Sequence, residues 1–189
     1  MESFEPPKLI SLSDLVTIKP MEIKKETIVF SPKVREWCKL GKVCPNYGTS
    51  PSCPPNAPYR KEILDQYTHF VLVHATFDLG AFKASMQAQH PDWSEKMCGN
   101  SRYWQKGVKA MMRDWIKDKH LPYDDLLGCG SGFMGKQSQE SAGIFVLRMY
   151  HRNRIPYEVK PRRKVVLSAL LMSKERKKPA RSTNLDEFR

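Results

Sequence analysis

The fold is decided by residues 70–77, FVLVHATF. This run is short, rich in Val, Leu and Phe, and bounded by polar residues, which is typical of a β-strand. The apolar character of its first half is nearly continuous, so we expect both faces of its sheet to be covered. Residues 143–150 and 165–171 have the same character and are predicted to be strands of that sheet.

Helices must supply the cover, and three segments qualify: residues 59–67, 81–89 and 103–119. The last is the strongest candidate because Trp104, Val108 and Met111 recur at the spacing of one helix face, which we expect to pack in the core. The DDLL segment that follows it is not predicted to be a strand. The pattern predicts an α/β fold in which helices cover a central sheet.

The 189 residues match the length of one ordinary domain. We place this domain at residues 1–172 and a basic, disordered tail at residues 173–189, where apolar periodicity is missing. The longest apolar runs fall far short of the ~20 residues that cross a bilayer, so no membrane contact is predicted. The first residues, MESFEPP, have neither the basic nor the apolar region of a secretory signal. We therefore expect a cytoplasmic location and reduced cysteines.

Positive charge is concentrated at the C-terminal end. Between Arg148 and Arg189 there are thirteen Lys and Arg against four acids, a net charge of +9 out of +12 for the whole chain. This basic end is predicted to bind nucleic acid or an acidic protein, with Tyr150 and Tyr157 stacking on bases. The alternative is a solvated surface that keeps the protein soluble.

Residues 38–58, CKLGKVCPNYGTSPSCPPNAP, differ in kind from the rest of the chain. Their five prolines and two glycines exclude a regular helix or central strand, so this segment must be an irregular loop. Three of the five cysteines, Cys38, Cys44 and Cys53, lie in it. A metal bound by these thiolates would supply the order that a hydrogen-bond ladder cannot.

The spacing of the cysteines bears on the identity of the metal. Five and eight residues separate Cys38, Cys44 and Cys53, whereas structural zinc usually takes pairs separated by two to four residues. Longer spacings suit an iron–sulfur cluster, and the Cys-Pro pairs resemble the one that closes bacterial ferredoxin motifs. A [4Fe–4S] cluster is favoured. Zinc is the alternative, and a third possibility is that the cysteines are simply buried apolar residues.

The same residues resemble a known family. The pattern CxxYGxxxxCPP at residues 44–55, preceded by IVF at residues 28–30 and by VRxxC ending at Cys38, resembles the motif of domain of unknown function 2284, a family described as predicted metal-binding proteins. Residues 62–73 and 140–146 extend the resemblance, which covers roughly residues 20–172. It implies an iron–sulfur or similar metal centre with no settled reaction. Family members commonly have several cysteines before the later Ala-Gly-Ile segment, where this chain has only Cys129.

A cubane cluster has four irons, and the loop offers three thiolates. Cys129, flanked by glycines that allow close approach of the backbone, is the candidate for the fourth ligand. Cys98 is held in reserve, and an iron without a protein thiolate is the remaining alternative.

Two functions follow. The first is an iron–sulfur protein, either an electron carrier or an enzyme that uses an open iron for non-redox or sulfur-transfer chemistry. The second is a zinc-stabilised module that binds nucleic acid or protein.

Overall fold

The computed structural model describes residues 10–39 and 44–176. Its centre is a sheet of four antiparallel strands in the order β1-β2-β4-β3. The strands are β1 (Val16–Ile23), β2 (His69–Asp78), β3 (Asp125–Leu127) and β4 (Lys164–Ser173).

Six α-helices occur within the described residues, and short 3-10 turns separate some of them. They are α1 (Pro32–Glu36), α2 (Leu79–Gln89), α3 (Glu95–Cys98), α4 (Gln105–Asp118), α5 (Gln139–Ala142) and α6 (Val146–Arg152).

Both faces of the sheet are buried, as the sequence predicts. Because side chains alternate along a strand, Phe77 and its alternate neighbours pack with Val108 and Met112 of α4 on one face. Leu72 packs with Met149 of α6 on the other face. The chain is therefore a single α/β domain whose central sheet is covered by helices.

The predicted strands at residues 70–77 and 165–171 are confirmed as β2 and β4, and these two strands pair along their whole length. The predicted helices at residues 81–89 and 103–119 are confirmed as α2 and α4. The predicted helix at residues 59–67 is only a 3-10 turn, Glu62–Gln66.

The predicted strand at residues 143–150 is wrong. Gly143 ends α5 with a φ of 100°, and α6 begins three residues later. In α6, Met149 and Tyr150 are buried while Arg148 and His151 are exposed, which is the burial pattern of a helix face. A short apolar run does not distinguish a buried helix from a buried strand.

Two strands were not predicted. β3 occupies three residues of the DDLL segment, where Leu126 and Leu127 are fully buried against β4. β1 is an edge strand, and this position explains why it tolerates Pro20 and the charged Lys19.

β4 ends at Ser173, where the predicted tail begins. The predicted disorder of the tail falls mostly on residues 177–189, which lie outside the described residues. Among the residues that the structure describes, no helix has the length and apolar character needed to span a bilayer.

Candidate metal centre

The cysteine loop is built from consecutive tight turns, as its prolines and glycines predict. The backbone N–H of Tyr47 donates to the carbonyl of Cys44 at 2.9 Å, and the N–H of Ala57 donates to the carbonyl of Cys53 at 2.9 Å. A third bond, 2.8 Å long, joins residues farther apart in the sequence: the N–H of Gly48 donates to the carbonyl of Pro54 and closes the loop on itself. Residues 40–43, between the first two cysteines, lie outside the described residues.

Three neighbouring elements hold this loop. The Nη2 of Arg35, in α1, donates to the carbonyl of Ala57 at 2.6 Å. The Oγ of Ser141, in α5, donates to the carbonyl of Ser52 at 2.9 Å. The Oγ of Ser131 lies 3.2 Å from the Oγ of Ser52. Ser131 belongs to the glycine segment that follows β3, residues 128–135. Residues from three parts of the chain thus meet beside Cys53.

The position of α5 depends on the glycine that follows it. Gly143 has a φ of 100° and lies against the ring of Tyr59, so that a Cβ at this position would overlap the ring. The N–H of Arg60 donates to the carbonyl of Ala142 at 3.0 Å. The chain leaving the cysteine loop is therefore attached to the C-terminal end of α5.

The three loop thiols lie in one electrostatic environment. Burial raises the pKa of Cys38 most, and the neighbouring Cys44, Cys53 and Glu140 raise it further, while Arg35 opposes the shift. Cys38 and Cys44 are half-buried and Cys53 is buried. All five cysteines, each within the described part of the chain, are free thiols.

A donor set of three thiols suits a thiophilic metal centre, because the thiolate is the form that binds metal and binding releases its proton. Among the described residues, no three His, Cys, Asp or Glu side chains converge closely enough to hold a single ion. The thiols nevertheless lie near enough to one another to influence the pKa of Cys38.

The two other cysteines differ in their surroundings. Cys129 is buried within the glycine segment. Burial raises its pKa to about 12, and the nearby Lys109 opposes this shift. Glu140, which also influences Cys38, raises the pKa of Cys129 further. Cys98 is buried in α3, and its Sγ donates to Gln87 in α2 at 3.4 Å. Cys129, unlike Cys98, thus shares a charged neighbour with the loop.

A cavity of about 450 Å³ adjoins the loop. Its walls include Trp37, which directly precedes Cys38, together with Cys129 and Glu140. β3 pairs only with residues 170–172, and after Leu127 the chain turns away from β4. Among the residues that the structure describes, this edge of β4 has no partner strand at residues 166–168, and it forms one side of the cavity.

Gln139 covers part of this unpaired strand edge. Its Nε2 donates to the carbonyl of Ser168 at 2.5 Å and to the Oγ of Ser168 at 3.1 Å. The residue is 1% exposed, and within the described residues its Oε1 has no hydrogen-bond partner. The bond to the Ser168 carbonyl fixes the orientation of the amide, because only the NH₂ end can donate to a carbonyl.

Glu140 is a second polar residue of the cavity wall. Solvent reaches its side chain through the cavity, yet the surrounding protein desolvates the carboxylate and raises its pKa, while Lys109 opposes the shift. Sequence reasoning missed Glu140, Gln139 and Lys109 as site residues. None of them stands at a recognisable spacing from the cysteines, and only the family-like segment at residues 140–146 pointed to this region.

The chain matches the model of a family described as predicted metal-binding protein (DUF2284) over residues 21–173. The chain belongs to this family. The match confirms the DUF2284 resemblance and runs from Met21, near the end of β1, to Ser173 at the end of β4, so that it includes the cysteine loop. No curated protein and no solved structure matches the chain. The members of DUF2284 are described as predicted metal-binding proteins, and this description does not say which metal they bind.

The basic end of this DUF2284 protein differs in one respect from the prediction. Tyr150 is 2% exposed, and its hydroxyl donates to the Oγ of Ser168 at 2.8 Å, so it cannot stack on a base. Glu158 accepts backbone N–H bonds from Arg162, Arg163 and Lys164. Binding of nucleic acid or an acidic protein by the basic end stays a prediction.

Proposed function

We propose that this protein binds an iron–sulfur cluster, with [4Fe–4S] favoured, and that Cys38, Cys44 and Cys53 are ligands. The observation that supports the proposal best is the presence of three free thiols in one irregular loop of a chain whose family is described as predicted metal-binding. Metal binding would release their protons and add cross-links to a loop that is otherwise held by tight turns and a few hydrogen bonds from neighbouring elements.

Cys129 is the proposed fourth ligand. The glycine segment that contains it contacts the cysteine loop through Ser131, and Cys129 shares Glu140 with Cys38 as a charged neighbour. The candidate ligands therefore come from two separate segments of the chain. Within the loop, five and eight residues separate the cysteines, whereas the paired ligands of structural zinc are usually two to four residues apart.

The cluster would serve either an electron carrier or an enzyme, and in an enzyme the neighbouring cavity would give room for a small molecule. A cluster with an iron that is not held by a thiolate supplies a Lewis acid, and a fully ligated one supplies electrons. In either case Lys109 would attract an anionic group, and Glu140 would hold or release a proton at its carboxylate. The free thiols suit the reducing cytoplasm that we propose as the location.

Substitution of single cysteines tests this proposal. C38S, C44S and C53S should each lose most of the iron that the unmodified chain retains after purification without oxygen. C98S is the matched control, because Cys98 is buried in α3 with its thiol bonded to Gln87, and it should retain its iron. Equal iron in all four variants would contradict the proposed ligands.

A further inference from the structure

The cavity beside the cysteine loop combines an apolar wall with a few polar groups. Trp37, Phe145, Val146 and Val166 contribute apolar surface. The rings of Trp37 and Phe145 pack edge to face with their centroids 5.1 Å apart. A volume of about 450 Å³ with mostly apolar lining and convergent polar groups is typical of a small-molecule site.

One polar group is an acceptor without a partner. Gln139 lines the cavity, its amide orientation is fixed by Ser168, and its Oε1 accepts no hydrogen bond from the described residues. Leaving a buried acceptor unpaired is unfavourable, because no hydrogen bond compensates for the lost contact with water. This oxygen has almost no accessible surface, so a ligand with an N–H or O–H group would donate to it only after the side chains that cover it shift.

The other polar groups set the charge that the cavity accepts. Lys109 of α4 contributes the only Lys or Arg side chain among the described residues that line the cavity. Glu140 faces the same space, and it forms no ion pair with Lys109 within 4 Å among the described contacts. The ammonium group of Lys109 is therefore available to an anion that enters beside it.

We propose that this cavity binds a small molecule with an apolar body, one anionic group and an N–H or O–H donor. The anionic group pairs with Lys109, the donor bonds to the Oε1 of Gln139, and the apolar body lies against Trp37 and Phe145. This binding goes beyond the proposed cluster, because none of these four residues is a proposed metal ligand.

The dye 1-anilinonaphthalene-8-sulfonate tests the proposal, since it has an aromatic body, a sulfonate and one N–H. N-phenyl-1-naphthylamine is its matched partner, because it has the same body and N–H but no sulfonate. Both dyes are titrated by fluorescence into the full chain as purified, and the iron content of each sample is measured alongside. A chain that binds the dye but lacks iron would contradict the proposed cluster and leave this inference standing.

The decisive variants are K109Q and K117Q. Lys117 is an exposed residue of the same helix and serves as the control. K109Q should weaken binding of the sulfonate dye about tenfold, as expected for loss of a charge-assisted bond, and change binding of the uncharged dye less than about twofold. K117Q should leave both dyes unchanged.

Two outcomes would overturn the proposal. In the first, K109Q and K117Q bind the sulfonate dye equally well. In the second, K109Q folds like the unmodified chain but weakens both dyes to the same extent, which would show that Lys109 does not hold the sulfonate. Circular dichroism of each variant separates these cases from general unfolding.

Discussion

The hydroxyl of Ser141 donates a hydrogen bond of 2.9 Å to the backbone carbonyl of Ser52, the residue before Cys53. This bond joins α5, which contributes Gln139 and Glu140 to the cavity, to the loop that contains the candidate metal ligands. The proposed metal centre and the cavity are therefore neighbours in the fold, although Ser52 and Ser141 are some ninety residues apart in the sequence.

Removal of this hydroxyl should weaken the attachment of the loop. S141A is expected to lower the free energy of unfolding by about 1 kcal/mol, the usual net value of one hydrogen bond, and to speed the loss of the bound metal to a chelator. Urea unfolding and the rate of iron release measure the two effects. S101A, at an exposed position, is the control and should change the free energy of unfolding by less than about 0.5 kcal/mol. A metal release rate in S141A equal to that of the control would show that the bond does not hold the loop.

Gly143 should resist substitution more strongly than another glycine of similar conformation. Alanine at Gly143 meets both an unfavourable positive φ and the ring of Tyr59, whereas Gly132, with a φ of 73°, has no atom near the added Cβ. We expect G143A to lower the free energy of unfolding by about 3 kcal/mol and G132A by about 1 kcal/mol. The difference between the two unfolding energies isolates the contact with Tyr59. Equal losses would mean that Tyr59 moves aside without cost.

Asp125 in β3 should make the stability depend on pH in the acid range. Its carboxylate pairs with Arg60 and lies 3.6 Å from Lys136. Burial raises its pKa, but the hydrogen bond from Arg60 and the N–H of Leu126 outweigh burial, so the pKa lies below its ordinary value of 3.8. A lowered pKa in the folded state means that this contribution is complete above pH 3.8 and is lost as the pH falls through the folded-state pKa.

The variant D125N tests this pH dependence. It should lower the free energy of unfolding by about 2 kcal/mol at pH 7, because Arg60 loses its charged partner while both side chains remain only 15% exposed. The difference from the unmodified chain should shrink as the pH is lowered through the acid range, as followed by urea unfolding. A difference that stays constant down to the lowest pH at which the chain folds would contradict the lowered pKa of Asp125.

Cys129 and Cys98 should respond differently to substitution. C129A is expected to lower the iron content per chain or to make the bound cluster more sensitive to air, because it removes the proposed fourth thiolate. C98A removes a thiol that lies between α2 and α3, and should keep its iron. Full and equally stable iron in C129A would point to a cluster with one iron open toward the cavity.

The sequence alone located the cysteine loop and the strands β2 and β4, since prolines, cysteines and continuous apolar runs are local signals. It did not locate β1, because Pro20 and Glu22 interrupt the alternation of apolar and polar residues in this edge strand. It also assigned a strand to residues that form α6, because the apolar residues near Met149 fit both the period of a helix and the period of a strand.

The polar residues of the cavity were beyond sequence reasoning for a different reason. Gln139 and Glu140 belong to a helix of four residues, and their role depends on where β3 ends and where Ser141 meets the cysteine loop. These are long-range contacts that no local pattern records. The family match extends over this region but names no residue.

The metal content of the full chain, purified without oxygen, tests the central claim most directly. Iron, acid-labile sulfide and zinc are measured per chain, together with the visible absorption spectrum. The proposed [4Fe–4S] cluster predicts a brown protein with about four irons and four sulfides per chain, whose colour bleaches in air. A colourless protein with one zinc per chain would contradict it.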